Sequence, residues 1–555
     1  MHRLRLARWA PLLVGIALVA AGCGGDGGGG GGTTTGEAAI KEGGTLNYAA
    51  DQEPTGFNNN TSKDNGTSVA NITINLFPRA FDLNPDYSVT LNQDLLDSAE
   101  QTSADPQTIV YKIKPNASWS DGTPVSAEDF IYLWKNLNGT IKSNDVASTT
   151  GYDQVESVTG ADNGKTVTVV FKEPFSDWKA LFASGNFILP AHFMEKQAGG
   201  WNTGLDKNPQ TFPSAGPFLI SNYTPGQSLT MVRNDKYFGP KAHLDQIVTR
   251  FLPESAAQVA ALQNNEVDMT YGQPQLDQVA QVKALPDVGS EINFGPTFEH
   301  FDFNFKNAFL GDIAVRKAIA TGINIGDLVN RTVKQFSDKA QPLGNRLWLT
   351  DQKYYQDHMG QYGKGDVAGA QKLLEDAGYT KGSDGIYAKG GKKISVRFST
   401  TAGNALRETQ GELFQAQMKE VGIDIKIANL DSQKLFGEAL PQGNFDIANF
   451  AWVGSPFVVS GNRDIYRSGA GSNYGNYANP KVDELFTQAL GEFDEAKAAD
   501  LMNQADQIIT DDMATIPLYQ KPTFLVIRNT FANVEDNSTQ DGPFWHSKLW
   551  AQKAT

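Results

Sequence analysis

Cysteine is nearly missing from this chain: Cys23 is the single thiol in 555 residues. Disulfide frameworks and thiolate metal sites are therefore excluded, and the fold must hold by burial of a core. Long apolar runs are missing too. The uncharged stretch Trp9 to Ala21 is shorter than the about 20 residues needed to cross a bilayer, and no second stretch reaches that length. Clustered positive charge is equally scarce, with no Lys/Arg run beyond Lys392-Lys393 outside the N-terminal leader. The formal charge is −15, a surface that repels phosphate backbones and excludes nucleic acid as a partner.

Catalytic signatures are also wanting. No G-x-S-x-G or H-E-x-x-H occurs, and the six histidines are scattered with no pair at ligand spacing. The stretch from Gly160 to Gly164-Lys165-Thr166 is one residue short of a phosphate-binding loop, and the residues after it read as strand. It is expected to be a hairpin turn. Gly469-Ala-Gly471-Ser-Asn-Tyr-Gly475 likewise misses dinucleotide spacing. Neither cofactor nor metal is expected, and the chain is not expected to be an enzyme.

What is present begins with Arg3, Arg5 and Arg8, a basic head on the short apolar core, which together read as a signal peptide over residues 1–22. The core ends in Ala20-Ala21-Gly22-Cys23, similar to a bacterial lipobox, in which the cysteine sulfur carries diacylglycerol; the alternative is a chance cysteine in an ordinary secretory signal. Gly24 to Gly36 is almost pure glycine with threonine. A flexible run of that length spans about 20 Å, so residues 23–43 are expected to be a lipid attachment site and tether.

Beyond the tether, strand and helix signals alternate. Thr45 to Ala50 reads as a strand and Gln107 to Lys114 as another, while Ser126 is placed to cap a helix with Asp129 three residues on. Ile394 to Ser399, a helix over Asn404 to Val421 ending at Gly422, and Ile423 to Ile427 form a strand–helix–strand unit that predicts a parallel, right-handed crossover. Phe445 to Trp452 reads as a strand, Asn479-Pro480 opens one helix, and Ala498 to Ile509 lies in the next. Ile516 to Tyr519 reads as a short strand.

In open parallel sheets, ligands lie beyond the carboxyl ends of strands. That rule selects Trp452, Val453, Gly454 and Ser455 as the candidate ligand loop: an indole to stack, a glycine for close approach and a hydroxyl for hydrogen bonding. The alternative is that Trp452 is a core aromatic and the rest a turn.

The segments Trp119-Ser-Asp-Gly-Thr-Pro-Val-Ser-Ala-Glu-Asp-Phe130, Ala215-Gly-Pro-Phe218, Arg233-Asn-Asp-Lys-Tyr-Phe238, Phe303-Asn304 with Val315-Arg316-Lys-Ala318, Ala377-Gly-Tyr379, Phe445-Asp446 and Tyr477-Ala-Asn-Pro-Lys-Val-Asp483 occur in one order. Taken together, the chain resembles the family 5 extracellular solute-binding proteins of ABC transporters, the peptide and nickel group. The resemblance implies an α/β, two-lobed, periplasmic-binding-protein-like clamshell with an extra subdomain in the first lobe. Two strands are expected to cross between lobes near Phe298 to Asn304 and Ile516 to Tyr519. Lobe I would comprise 44–76, 210–298 and 521–555, its subdomain 77–209, and lobe II 299–520.

It further implies a monomer on the extracytoplasmic face of a bacterial membrane, held there by lipid, that captures a small-molecule or oligopeptide ligand and delivers it to an ABC permease. Trp452, Val453 and Ser455 would form one wall of the cleft and Asp51 to Phe57, with Asp51, Glu53 and Phe57 named, the other. Arg463 or Lys481 would meet a carboxylate. Peptide binders of the family carry aspartate where this chain has Ser455, so Asp464 or Glu53 is the candidate to meet a peptide ammonium. Asn324 also departs from a family aspartate and is expected to be structural. The competing readings are the same fold with a nickel chelate, haem or sugar as cargo, for which His300 is the candidate contact, and a surface peptide hydrolase.

Overall fold

The computed structural model describes residues 39–554, so the expected signal peptide, Cys23 and most of the tether lie outside the described residues. The fold takes in more of the tether than expected. Ile40–Lys41 pairs antiparallel with Ala551–Lys553, Ile40 opposite Lys553, so residues drawn into the tether up to position 43 already serve as an edge strand for the chain's other end.

Ten strands form one mixed sheet: β1 (Thr45–Ala50), β2 (Phe218–Thr224), β3 (Ser228–Arg233), β4 (Gln246–Phe251), β5 (Met269–Gly272), β6 (Val288–Phe303), β7 (Ser395–Ser399), β8 (Asp424–Ile427), β9 (Ile447–Val453) and β10 (Thr515–Arg528). Their order is β8-β7-β9-β6-β10-β5-β1-β4-β3-β2. The long strands β6 and β10 sit at its centre. The N-terminal part of β6 and the C-terminal part of β10 pair beside β5, while the other ends pair beside β9, so both strands belong to both halves. This is the two-lobed α/β architecture.

The crossing has a local cause in sequence. Phe294 faces Pro522 and Phe298 faces Gln520, so Gly295, Pro296 and Thr297 lie opposite the single residue Lys521. Pro296 and Pro522 have no N–H to give a ladder, and the surplus residues bulge out and bend the ribbon. Gly295 is needed there, because a Cβ on it would stand 2.0 Å from the Ser538 carbonyl oxygen.

A separate four-stranded antiparallel sheet, ordered Leu96–Ala104, Gln107–Ile113, Thr166–Phe171 and Val155–Ala161, carries the subdomain. The near-miss phosphate loop is its hairpin turn, with Asp162, Asn163 and Gly164 all at positive φ. Helix α1 (Ala127–Leu137) starts on a capping box at Ser126. Asp129 accepts from Ser126 N (3.0 Å), Ala191 N (2.9 Å) and Trp119 Nε1 (3.3 Å), which locks turn to helix; burial pushes its carboxyl up to about 6.

In the second half, α2 (Ala405–Val421) joins β7 to β8 in parallel register, Ser395 opposite Asp424, and ends at Gly422 with φ +99°. Phe414, Met418 and Val421 bury against Phe301, Phe398 and Ile425. Three more helices matter for position: α3 (Val458–Tyr466), α4 (Pro480–Leu490) and α5 (Glu495–Asp511). Asn324 caps the helix Ile325–Arg331, its side chain accepting from Asp327 N at 2.9 Å, a structural role.

Gly295→Val is expected to cost about 1–3 kcal/mol through overpacking at the crossing, read as a lower melting temperature in calorimetry. An unchanged melting temperature would show that Ser538 yields freely and that the bulge is not held as described.

Candidate functional site

The loop after β9 is shaped by the crossing before it is shaped for a ligand. Gly454 N donates to the Pro296 carbonyl at 2.6 Å, and a Cβ there would stand 2.4 Å from that oxygen, so the glycine permits close approach to the protein's own backbone. Trp452 lies between two rings, stacked on Tyr474 (5.7 Å between centroids, 17°) and His300 (6.0 Å, 18°), with Phe450 edge-on at 5.1 Å. Aromatic neighbours thus hold the indole in place, while Trp452 as a whole is half-buried. Its Nε1 is buried and has no hydrogen-bond partner among the described residues. Val453 is the exposed member of the loop, at 52%. Ser455 Oγ accepts from Phe457 N at 3.3 Å and so leads the turn into α3.

Helix α3 then meets the subdomain through three of its polar residues. Ser460 N and Oγ both donate to Asp177 at 2.9 Å. Asp464 accepts from Ser148 Oγ (2.5 Å) and Thr150 Oγ1 (2.8 Å), and Arg463 reaches Asp153 at 3.5 Å. Asp464 and Arg463 thus hold α3 to residues 148–153. Lys481 pairs with Glu484 on an exposed face.

On the opposite side, Asp51 follows the tip of β1 and is solvent-accessible, yet it is hemmed in by protein. That enclosure raises its carboxyl above the ordinary range, with Lys521 acting in the other direction. Glu53 is engaged: its Oε1 accepts from Tyr223 OH (2.6 Å) and Gly226 N (2.9 Å), tying the loop to the β2–β3 hairpin. Phe57 is 1% exposed, edge-on to Phe212 and Tyr223, and packs the lobe interior where a place in the cleft wall was expected. Its ring follows two small turn residues inward, a course that polarity in the flanking sequence does not reveal. His300 is fully buried among Phe298, Phe450 and Trp452. Among the described residues no group of three or more His, Cys, Asp or Glu could hold a metal ion.

Residues 90–474 match the family described as bacterial extracellular solute-binding proteins, family 5. The oligopeptide-binding protein OppA of Mycobacterium tuberculosis is 31% identical over 498 residues, spanning 89% of this chain and 83% of that protein. The chain belongs to family 5. Among solved structures, the periplasmic EDTA-binding protein EppA superposes with a TM-score of 0.88 at 30% identity, covering 94% of this chain and 99% of its own. The oligopeptide-binding protein AppA of Bacillus subtilis, in complex with a nonapeptide, gives 0.80 at 21%, covering 93% and 100%. Proteins of this family are extracytoplasmic, and these relatives are solute-binding proteins.

This family 5 chain also carries a buried ion pair that no contiguous motif marks. Glu299 on β6 is fully buried and meets Arg407 in the first turn of α2, with Nε 3.2 Å from both carboxylate oxygens and Nη2 2.8 Å from Oε1. Asn449 on β9 adds a donor at 3.3 Å, and Arg407 Nη1 donates to Thr401 Oγ1 at 3.2 Å. Burial opposes ionisation of Glu299, but the Arg407 and Lys521 charges prevail and hold its carboxyl below the ordinary 4.5. The pair is 108 residues apart in sequence, and only the strand alternation placing a glutamate between Phe298 and Phe301 marks it.

Glu299→Ala leaves Arg407 buried without a counter-charge and is expected to destabilise the protein by about 3–5 kcal/mol, whereas Glu299→Met with Arg407→Met recovers most of that loss. Because the folded pKa is lowered, the pair's stabilisation is present above about pH 4.5 and is lost as pH falls through the folded value. Urea unfolding of the three proteins at pH 7 and pH 4 checks this; a double variant as unstable as the single one refutes it.

Proposed function

We propose that this protein is the lipid-anchored receptor of an ABC importer, capturing a peptide-like solute between its lobes by hinge closure and passing it unaltered to the permease. The observation carrying this reading is the pair of crossing strands, β6 and β10, whose ladder slips at two proline-flanked points between two halves of a sheet, between Phe294 and Phe298 and between Glu299 and His300. Such a joint lets two rigid bodies turn about a few residues. A ligand touching both bodies then stabilises the shut form by its differential affinity for it. The division proposed is lobe I from 44–76, 210–298 and 521–555, its subdomain 77–209, and lobe II 299–520. The cleft walls proposed are Trp452 to Ser455 on one side and the loop from Asp51 on the other. Cys23 is the proposed lipid attachment point, and the receptor acts as a monomer.

A second cargo, a carboxylate-bearing chelate, has its own support. Ser455 offers a neutral hydroxyl where peptide binders present a carboxylate, and a neutral hydrogen bond contributes about 1 kcal/mol where a charged one contributes about 1.5–3. EppA, 30% identical, is an EDTA-binding protein. The peptide reading rests on the equally similar OppA.

Native mass spectrometry of protein isolated without refolding is expected to show retained solute. Adding a bound peptide is expected to shrink the radius of gyration and to return the peptide intact. Scattering curves identical with every peptide and chelate tried, or a peptide returned cleaved, would end this reading. In cells fed labelled palmitate, Cys23→Ser is expected to lose the label; a labelled variant would remove the anchor from the proposal.

A further inference from the structure

Several buried cations in this protein are matched to carboxylates, Arg407 to Glu299, Arg346 to Asp506, Arg528 to Asp287 and Arg79 to Asp82, and buried Arg316 is satisfied by the carbonyls of Leu310, Asp512 and Met513. Lys521 is different. It lies on β10 at the first slipped point of the crossing, and strand alternation puts it on the face of Tyr519, which pairs with Glu299. Among the described residues its ammonium has neither a hydrogen bond nor a carboxylate within 4.0 Å.

The charged groups around it come from three elements: Arg407 from α2, Glu299 from β6 and Asp51 from the tip of β1. Glu299 is already consumed by Arg407, and Asp51 stands off beyond ion-pair distance. A second donor waits nearby. Gln273 follows β5, the strand beside β10, and its Nε2 is buried without a partner, while its Oε1 takes a hydrogen bond from Asn404 of the other lobe at 3.4 Å. Lys521, Gln273 and the first turn of α2 therefore bring donors and positive charge from both lobes to one place.

We propose that Lys521 is a specificity-determining residue of the cleft, binding a carboxylate of the solute at the hinge with Gln273 as its neighbouring donor. The assignment deepens the solute-binding reading above and rests on it. The carboxylate is shared by a free peptide C-terminus and by a polycarboxylate chelate. An unmatched ammonium kept in an enclosed site has a reason to be there only when a counter-charge arrives. Burial, then the charge of Arg407, push the ammonium down to about 8, against the pull of Glu299 and Asp51. Its charge in the empty cleft therefore fades as pH rises through 8, and a bound carboxylate restores it.

Calorimetric titration with trialanine, trialanine amide and EDTA tests this on the full-length protein, Lys521→Met and Lys521→Arg, each first shown to melt as the parent does. A carboxylate probe is expected to bind the parent and to lose about 10-fold to 100-fold affinity in Lys521→Met. Affinity of the parent is expected to decline from pH 7 to pH 9 and to stay flat in Lys521→Arg. Preference for trialanine over its amide identifies a peptide terminus as the source; binding of EDTA alone identifies a chelate. If trialanine, its amide or EDTA binds parent and Lys521→Met alike, the cleft is a binding site but the lysine assignment falls. If none of the three binds the parent, the reading of the cleft as a peptide or chelate site falls, and the assignment with it. Should Lys521→Met melt below the parent, Lys521→Arg carries the test, and a pH decline it shares with the parent overturns the proposal.

Discussion

The antiparallel pairing of β6 with β10 is the constraint on which the remaining geometry depends. It runs from Val288 opposite Arg528 to Asp302 opposite Thr515, and it gives up regular register where Gly295, Pro296 and Thr297 face Lys521. Two prolines without N–H groups make that gap unavoidable, and the backbone groups it frees must find other partners. The Pro296 carbonyl finds Gly454 N, which fixes the loop after β9 against the joint. Two glycines that look like ordinary turn residues, Gly295 and Gly454, are thereby accounted for by contact distances to backbone oxygens.

A joint made of central strands has a further consequence. Residues on its inner face are surrounded by protein from both lobes, so any charge placed there must be matched or costs several kcal/mol. Glu299 and Arg407 are matched to each other across 108 residues, with Asn449 and Thr401 filling the remaining positions. Tyr519, opposite Glu299, donates nothing to it but accepts from Gln410 at 2.5 Å, so the polar cluster is continued onto α2. Helix α2 is thus pinned to the crossing by charge at its first turn and by Phe414 and Met418 further along.

How much of this was legible depends on whether the determinant was local. The capping box at Ser126, the left-handed Gly422, the β7–α2–β8 crossover and the cap at Asn479-Pro480 all follow from neighbours in sequence, and each is found where the pattern placed it. The residue pattern predicts only a short strand at Ile516 to Tyr519, whereas pairing along β10 extends it from Thr515 to Arg528. The turn-rich stretch places Phe57 and Glu53 in the cleft, but what decides their direction is Phe212, Tyr223 and Gly226, more than 150 residues away. Lys521 carried no signal, since a lysine between glutamine and proline looks like any solvated turn.

The charge balance of the joint also bears on why no single acidic position could settle the cargo from sequence. Of the carboxylates singled out, Glu53 is held by the β2–β3 hairpin and Asp464 by the subdomain, which leaves Asp51 as the one without a bonded partner among the described residues. The field that favours its charge comes from Lys521. Anything that neutralises one of these two groups therefore weakens the case for charge on the other, and the coupling is reciprocal by thermodynamic necessity. A solute bearing both an anion and a cation satisfies the pair together, whereas a purely anionic one satisfies Lys521 and favours a protonated Asp51. On the proposal for Lys521, the charge of the cargo is set by the relation between that residue on β10 and Asp51 just beyond the end of β1, which no motif of contiguous residues records.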